Sequence, residues 1–256
     1  MIDVIHCSLS MAGIAVLDDV SLTLNDGETV GLVGRSGAGK TALLKTLAGR
    51  LPGHTGSITV NGGPLPSRRA DLDRTVVYCG PAVPVNPEET LGEFLLQGRM
   101  PYKKTFMPFT EYDRQTTDRF ADILDLARFG AMKIGYVPDG ALRRALLARA
   151  LIRGAHAVLM DNPTGDLDIA SVRMLKKAIA RYVIEGNRIA VICSGDLNFI
   201  ADVADRVVVM DGGRIVEAGP VEILNANLIK RYFGVDVIIS RNIYNGRPQI
   251  HTFPDA

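Results

Sequence analysis

The sequence of 256 residues predicts an α/β domain with a parallel central sheet, an antiparallel β-layer at its N-terminus and a helical subdomain inserted within it. Three observations carry that prediction. Short apolar runs alternate with helix-length amphipathic segments through most of the chain, which is how strands and their crossover helices read. The first two apolar segments instead alternate with period two, as half-buried antiparallel strands do. The stretch from Gly80 to Gly135 opens rich in proline and continues with helical patterns, so it interrupts the alternation. A hydrophobic fraction of 47% against 22% charged residues is enough to bury a full core, and it excludes disordered and collagen-like chains. A single domain over 1–256 is expected, with a core at about 1–79 and 155–256 and the helical subdomain at about 80–154.

In chain order, residues 2–9 and 14–24 read as the antiparallel strands, with Val16, Val20, Leu22 and Leu24 in alternation, and Asn25-Asp26-Gly27 as a turn. Thr29–Val33 is a buried-strand run. A glycine-rich loop follows, then a helix from about Lys40 to Ala48 that ends at Gly49. Ser57–Val60 and Thr75–Tyr78 read as strands, the first closing on the turn Asn61-Gly62-Gly63. A loop with Pro81, Pro84 and Pro87 leads to helical patterns near 90–98 and 113–128. The next helix, Gly140 to Arg153, has Leu142, Ala145, Leu146 and Leu151 at core spacing. After it come a strand at Ala157–Met160, a helix at about 169–185 and a strand at Arg188–Cys193. Two last strands between Arg206 and Val216 meet at Asp211-Gly212-Gly213.

Charge and cysteine usage narrow the function classes. Lys plus Arg number 29 against 28 Asp plus Glu, a net charge of +1, so no nucleic-acid partner is expected. Cys7, Cys79 and Cys193 are scattered with no C-x-x-C pairing, which argues against structural zinc and fits a reducing, cytoplasmic setting. His6, His54, His156 and His251 have no ligand spacing. The pairs Arg68-Arg69 and Arg143-Arg144 are expected on solvated faces. The start MIDVIHCSLS lacks a basic and an apolar leader region and no run of 18 apolar residues occurs, so neither secretion nor membrane spanning is expected. A membrane role would come through a partner.

The strongest motif is Gly34-Arg35-Ser36-Gly37-Ala38-Gly39-Lys40-Thr41, which satisfies G-x-x-x-x-G-K-[ST] between a hydrophobic strand and a helix N-terminus. Its glycines let successive backbone N–H groups turn toward phosphate oxygens, and the helix dipole favours their charge. Lys40 is expected to reach the β- and γ-phosphates, and Thr41 to ligate magnesium. Asp161, closing the run Ala157-Val158-Leu159-Met160, is the acid expected to hold that magnesium.

With these motifs the chain resembles the ATP-binding subunits of ABC transporters. Leu147-Ala148-Arg149-Ala150-Leu151 resembles the helix after the family signature, Asp161-Asn162-Pro163-Thr164 followed by Gly165-Asp166-Leu167-Asp168 the Walker B and D-loop run, and Asp205 through Ile215 the late strand pair. Gly98-Arg99-Met100-Pro101-Tyr102, Asp196-Leu197-Asn198 and the tail Leu228 to Val235 are similar to importers of iron chelates, haem and cobalamin. The resemblance implies ATP and Mg2+ as ligands, and a P-loop NTPase fold of ABC type with a RecA-like core. It implies a homodimer or heterodimer of ATPase subunits beneath a transmembrane permease, indirect service to a substrate-binding protein, and a peripheral place on the inner face of the cell membrane.

The same alignment exposes departures. The Glu that follows the Walker B Asp is Asn162, which cannot act as a base, and a positioned base contributes about 10²–10⁴-fold in rate. The switch His is Gly195, the Gln of the loop into the helical subdomain is Gly80, and the adenine-stacking aromatic is Met11. The signature L-S-G-G-Q falls on Val137-Pro138-Asp139-Gly140-Ala141, where only Gly140 survives. Pro138 lacks both hydroxyl and N–H. Asp139 would bring a carboxylate toward a polyanion, at about 3 kcal/mol per charge pair at about 5 Å and an effective dielectric of about 20. Read without the family, Pro138-Asp139-Gly140 is a turn with Asp139 capping the next helix. The chain is therefore expected to bind Mg-ATP with weak or no hydrolysis. The competing expectations are a nucleotide-gated regulatory or scaffold protein outside transport, and a working ATPase with unorthodox catalytic groups.

Overall fold

The computed structural model describes residues 1–80, 84–104, 106–165 and 167–253. Its centre is a six-stranded sheet in the order β10-β9-β3-β8-β7-β6, formed by β3 (Thr29–Val33), β6 (Val76–Cys79), β7 (Ala157–Asp161), β8 (Ile189–Cys193), β9 (Arg206–Asp211) and β10 (Arg214–Pro220). Every pairing is parallel except β9 with β10. Strands β3, β6, β7 and β8 are buried along their whole length, as expected for parallel strands covered on both faces. Alternation sorts their side chains: Val191 and Cys193 join the core beneath the N-terminal layer, while Ala190 and Ile192 join the core on the other face.

The N-terminal layer is an antiparallel sheet of β1 (Ile2–Met11), β2 (Ile14–Leu24), β4 (Thr55–Val60) and β5 (Gly63–Pro64), in the order β2-β1-β4-β5. Its inward residues Ile2, Val4, Leu17, Val20 and Leu24 pack with Leu43, Leu44 and Leu47 of α1 (Lys40–Leu47) against the central sheet. Helix α1 ends as expected, with Gly49 at φ 62 just beyond it.

Between β6 and β7 the chain forms α3 (Leu91–Leu96), α4 (Glu111–Ile123) and α5 (Asp139–Ile152). Capping boxes start α3 at Thr90 and α4 at Thr110. The helix expected over 113–128 thus begins earlier and stops at Ile123, and the remainder turns through a short 3₁₀ segment, Ala127–Phe129. Pro81 lies outside the described residues. Helix α5 corrects two expectations. Pro138 holds its N-cap position, and Asp139 is the first helical residue with no side-chain cap bond, so Asp139 acts through the helix dipole alone. Arg144 is only 9% exposed, because Nε donates to Leu124 O at 2.8 Å and Nη1 to Ser171 Oγ at 3.0 Å. That side chain fastens α5 to its neighbours and is not solvated.

Arg99 fastens the helices together more firmly still. It is buried, donates from Nε to Asp113 Oδ1 at 2.8 Å and from Nη1 to the carbonyls of Ile152 and Arg153, and stacks on Tyr102 at 4.1 Å. Burial pushes the Asp113 carboxyl up, but hydrogen bonds from Arg99 and Thr110 outweigh it and hold it below the usual carboxylate range. Arg99→Ala strands that carboxylate in the interior and is expected to cost about 3–5 kcal/mol, read as a lower urea midpoint.

One further helix matches its expectation, while three others and a hairpin were not anticipated. α2 (Arg69–Thr75) precedes β6; α6 (Ile169–Gly186) matches the helix expected at 169–185 and is N-capped by Asp168; α7 (Leu197–Val203) is N-capped by Asp196; α8 (Ala226–Phe233) is N-capped by Asn225. The hairpin of β11 (Val237–Arg241) and β12 (Pro248–Thr252) is pinned to α7 by Asn198, whose amide exchanges two hydrogen bonds with the Ile250 backbone at 2.9 and 2.8 Å.

Candidate nucleotide-binding site

The phosphate-loop residues leave β3 at its C-terminal edge and enter α1, the position where parallel sheets open their crevice. The loop closes tightly because its glycines permit it. Gly34 has φ 147, and a Cβ there would lie 2.1 Å from Met210 O; Gly39 has φ 96, and a Cβ there would lie 2.7 Å from Val16 O. No side chain caps α1, so its first-turn N–H groups remain for a ligand. Lys40 folds back across the loop, its Nζ donating to Gly34 O and Arg35 O, both at 2.7 Å.

Thr41 and Asp161 meet as the spacing required. Thr41 Oγ1 donates to Asp161 Oδ2 at 2.8 Å, joining the start of α1 to the end of β7. The hydroxyl and carboxylate form a hard oxygen set suited to a divalent cation that keeps much of its water. A cavity of about 650 Å³ opens over the loop. It brings together Met11, Gly34, Ser36, Gly37, Ala38, Gly39, Lys40, Thr41, Asp161, Asn162 and Gly195, all expected for the site. The volume, the uncapped helix start and the oxygen pair fit a nucleoside triphosphate with magnesium.

Two expected residues stand elsewhere. Arg35 turns away from the cavity, donating from Nη2 to Phe233 O at 3.1 Å, and so ties the loop to the C-terminal end of α8. Gly80 does not line the cavity. A Cβ at Gly80 would lie 2.6–2.9 Å from the ring and hydroxyl of Tyr78. Tyr78 is a site residue that sequence reasoning missed: it is buried, and its hydroxyl donates to Asp161 Oδ2 at 2.9 Å, the same oxygen that Thr41 reaches. Cys193 and Ser194 were missed as well. Burial, and then the charge of Asp161, push the Cys193 thiol up to about 12, so it is a neutral wall and not a nucleophile.

At the cavity wall formed by Asn162 and Gly195 neither residue carries an ionisable side chain. Asn162 is exposed at φ 51, a left-handed conformation that Asn tolerates, and its amide lies against Gly165. Beyond it, Asp166 lies outside the described residues. Among the described residues nothing lies within 4 Å of a Cβ placed on Gly195. Neither residue supplies a base.

Residues 17–165 match the protein family described as ABC transporter. The chain is 29% identical over 256 residues to the cobalamin import ATP-binding protein BtuD of Halobacterium salinarum, covering 99% of this chain and 64% of that protein. It is 30% identical over 254 residues to the hemin import ATP-binding protein HmuV of Thermobifida fusca, covering 96% and 86%. The chain thus spans under two thirds of the length of the first relative. Among solved structures, the ATP binding subunit of an ABC transporter superposes with a TM-score of 0.77 at 23% identity, covering 91% of this chain and 93% of that one.

Proposed function

The chain belongs to the ABC transporter ATP-binding family, and from that premise we propose that it is the nucleotide-binding subunit of an importer for an iron chelate, haem or cobalamin that holds Mg-ATP with little or no turnover. ATP with Mg2+ is the ligand of this family. The observation that carries the reading is the contrast within one cavity: the loop, Lys40 and the Thr41–Asp161 pair are complete, while Asn162 and Gly195 leave the hydrolytic end without a base. Lys40 would exchange its carbonyl partners for β- and γ-phosphate oxygens, and Asp161 would hold the hydrated cation beside Thr41.

The substrate class is supported by the relatives named for cobalamin and hemin import. Among the described residues no helix is long and apolar enough to cross a membrane; the import reading pairs the chain with a permease, with α3 to α5 as the surface that grips it. A second ATPase subunit, identical or not, would face Pro138 and Asp139 across the dimer. Addition of Mg-ATP is expected to raise the thermal midpoint of the isolated protein, with phosphate release at background. Brisk release would reject the reading, and so would failure to copurify with a multi-helix permease.

A further inference from the structure

Tyr78 borders a second cavity, one that the nucleotide reading leaves unused. Its volume is about 230 Å³, roughly a third of the nucleotide cavity, and its walls are Val77, Tyr78 and Cys79 of β6 with Leu146 and Ala150 of α5. Four arginines complete the lining: Arg50 after α1, Arg69 at the start of α2, and Arg149 and Arg153 on and just after α5. These come from three separate stretches of chain, so no local sequence pattern predicts their meeting.

The charges here are only partly compensated: Arg50 and Arg69 are exposed to solvent, Arg149 and Arg153 are half-buried, and Glu89 offsets part of the charge on Arg149. Among the described residues no carboxylate lines the cavity. Asp73 is the nearest partner in the hydrogen-bond network, and it is already shared, accepting from Arg69 Nε at 3.2 Å and from Arg153 Nη1 at 3.0 Å. Among the described residues neither Arg50 nor Arg149 has a salt bridge; Arg50 lies over the Tyr78 ring at 4.9 Å and Arg149 over Phe94 at 4.5 Å. Arg153 Nε is buried with no hydrogen-bond partner. Burial, and then the charge of Arg153, hold the Arg149 guanidinium below its ordinary value, against a smaller opposing pull from Glu89. Arg149 and Arg153 are half-buried like charges that an anion between them would relieve, and planar guanidinium forks match the oxygens of phosphate.

We propose that this cavity binds a small phosphate-class oxyanion, free orthophosphate or diphosphate, and that its occupancy reaches the magnesium carboxylate through Tyr78. The size favours a small anion over a second nucleotide. The connection is short: Arg50 stacks on the ring whose hydroxyl donates to Asp161 Oδ2. An anion that recruits Arg50 shifts the cation away from that ring and changes the donor that orients Asp161. By thermodynamic reciprocity, the nucleotide then alters anion affinity by the same factor. The binding site stands without the transport reading; the coupling rests on nucleotide binding at the phosphate loop.

The test is calorimetric titration of pyrophosphate into protein saturated with a non-hydrolysable Mg-ATP analogue, so that the phosphate loop is filled. One binding event is expected. Arg149→Gln should weaken it about 10–100-fold, the loss of a charge-assisted contact, with Arg149→Lys recovering part and circular dichroism unchanged in both. Tyr78→Phe should keep pyrophosphate affinity but remove its effect on analogue affinity. Pyrophosphate heat that disappears once the analogue is bound, or that Arg149→Gln leaves unchanged, overturns the site. Equal coupling in Tyr78→Phe and the wild type overturns the relay. If the wild type binds no nucleotide analogue yet still gives an Arg149-dependent pyrophosphate event, the nucleotide reading fails and this cavity does not.

Discussion

Lys40→Ala is expected to weaken Mg-ATP binding about 100-fold or more, measured by calorimetric titration. The ammonium is the only side-chain cation of the loop directed into the cavity, since Arg35 is turned to Phe233 O at 3.1 Å. Each charge-assisted contact to a phosphate is worth about 1.5–3 kcal/mol, and Lys40 would serve two phosphates. The same group now bridges Gly34 O and Arg35 O, so its removal also loosens the loop that aligns the N–H groups. Folding should suffer little, because these bonds lie at or near the surface and the core of α1 rests on Leu43, Leu44 and Leu47. Lys40→Arg should not rescue binding: a planar guanidinium cannot sit as a compact charge between two carbonyls and two phosphates. Affinity within threefold of the wild type in Lys40→Ala would mean that the nucleotide sits elsewhere.

How far the sequence disclosed this site depends on how local each feature is. The loop was legible because its chemistry is contiguous: glycines, Lys40 and Thr41 follow one another, and β3 and α1 flank them by hydrophobic pattern alone. Strands β7 and β8 were legible because burial on both faces makes them unbroken apolar runs. The C-terminal hairpin was not, since β11 and β12 are short and half exposed and depend on Asn198 for their place. Arg144 was misread because a basic pair looks solvated until the carbonyl of Leu124 and the hydroxyl of Ser171 are brought to it. Gly80 shows the limit most clearly. Its missing side chain was visible, but the cause was not: the ring of Tyr78, two residues earlier in β6, occupies the space where a Cβ would stand. A Gln placed at Gly80 without a change at Tyr78 would therefore collide with the ring.

That dependence shapes the second large effect, the recovery of hydrolysis. Asn162→Glu with Gly195→His returns a base and an imidazole to the open end of the cavity, and the structure accepts both. Gly195 offers empty space, and Asn162 is exposed, although a Glu at φ 51 costs about 1 kcal/mol. This pair alone is nevertheless expected to leave phosphate release near background, because in the proposed dimer a partner subunit would still present Pro138 and Asp139 to the nucleotide. The companion pair, Pro138→Ser with Asp139→Gly, is unusually permissive for helix α5. Ser is a favoured residue at the N-cap position that Pro138 now holds without a side-chain bond, which offsets the loss of an acidic first turn worth about 0.3–1 kcal/mol. Only the four changes together are expected to raise phosphate release, by about 10²-fold or more, within the range a positioned base contributes. On the proposed reading the two pairs act in series, so the expected pattern is strongly non-additive. Full recovery from Asn162→Glu and Gly195→His alone would show that the surface at Pro138 and Asp139 never opposed the dimer. No recovery from all four, with Mg-ATP still bound, would place the block at Gly80 and Tyr78, where the Tyr78 hydroxyl holds the carboxylate expected to orient the cation.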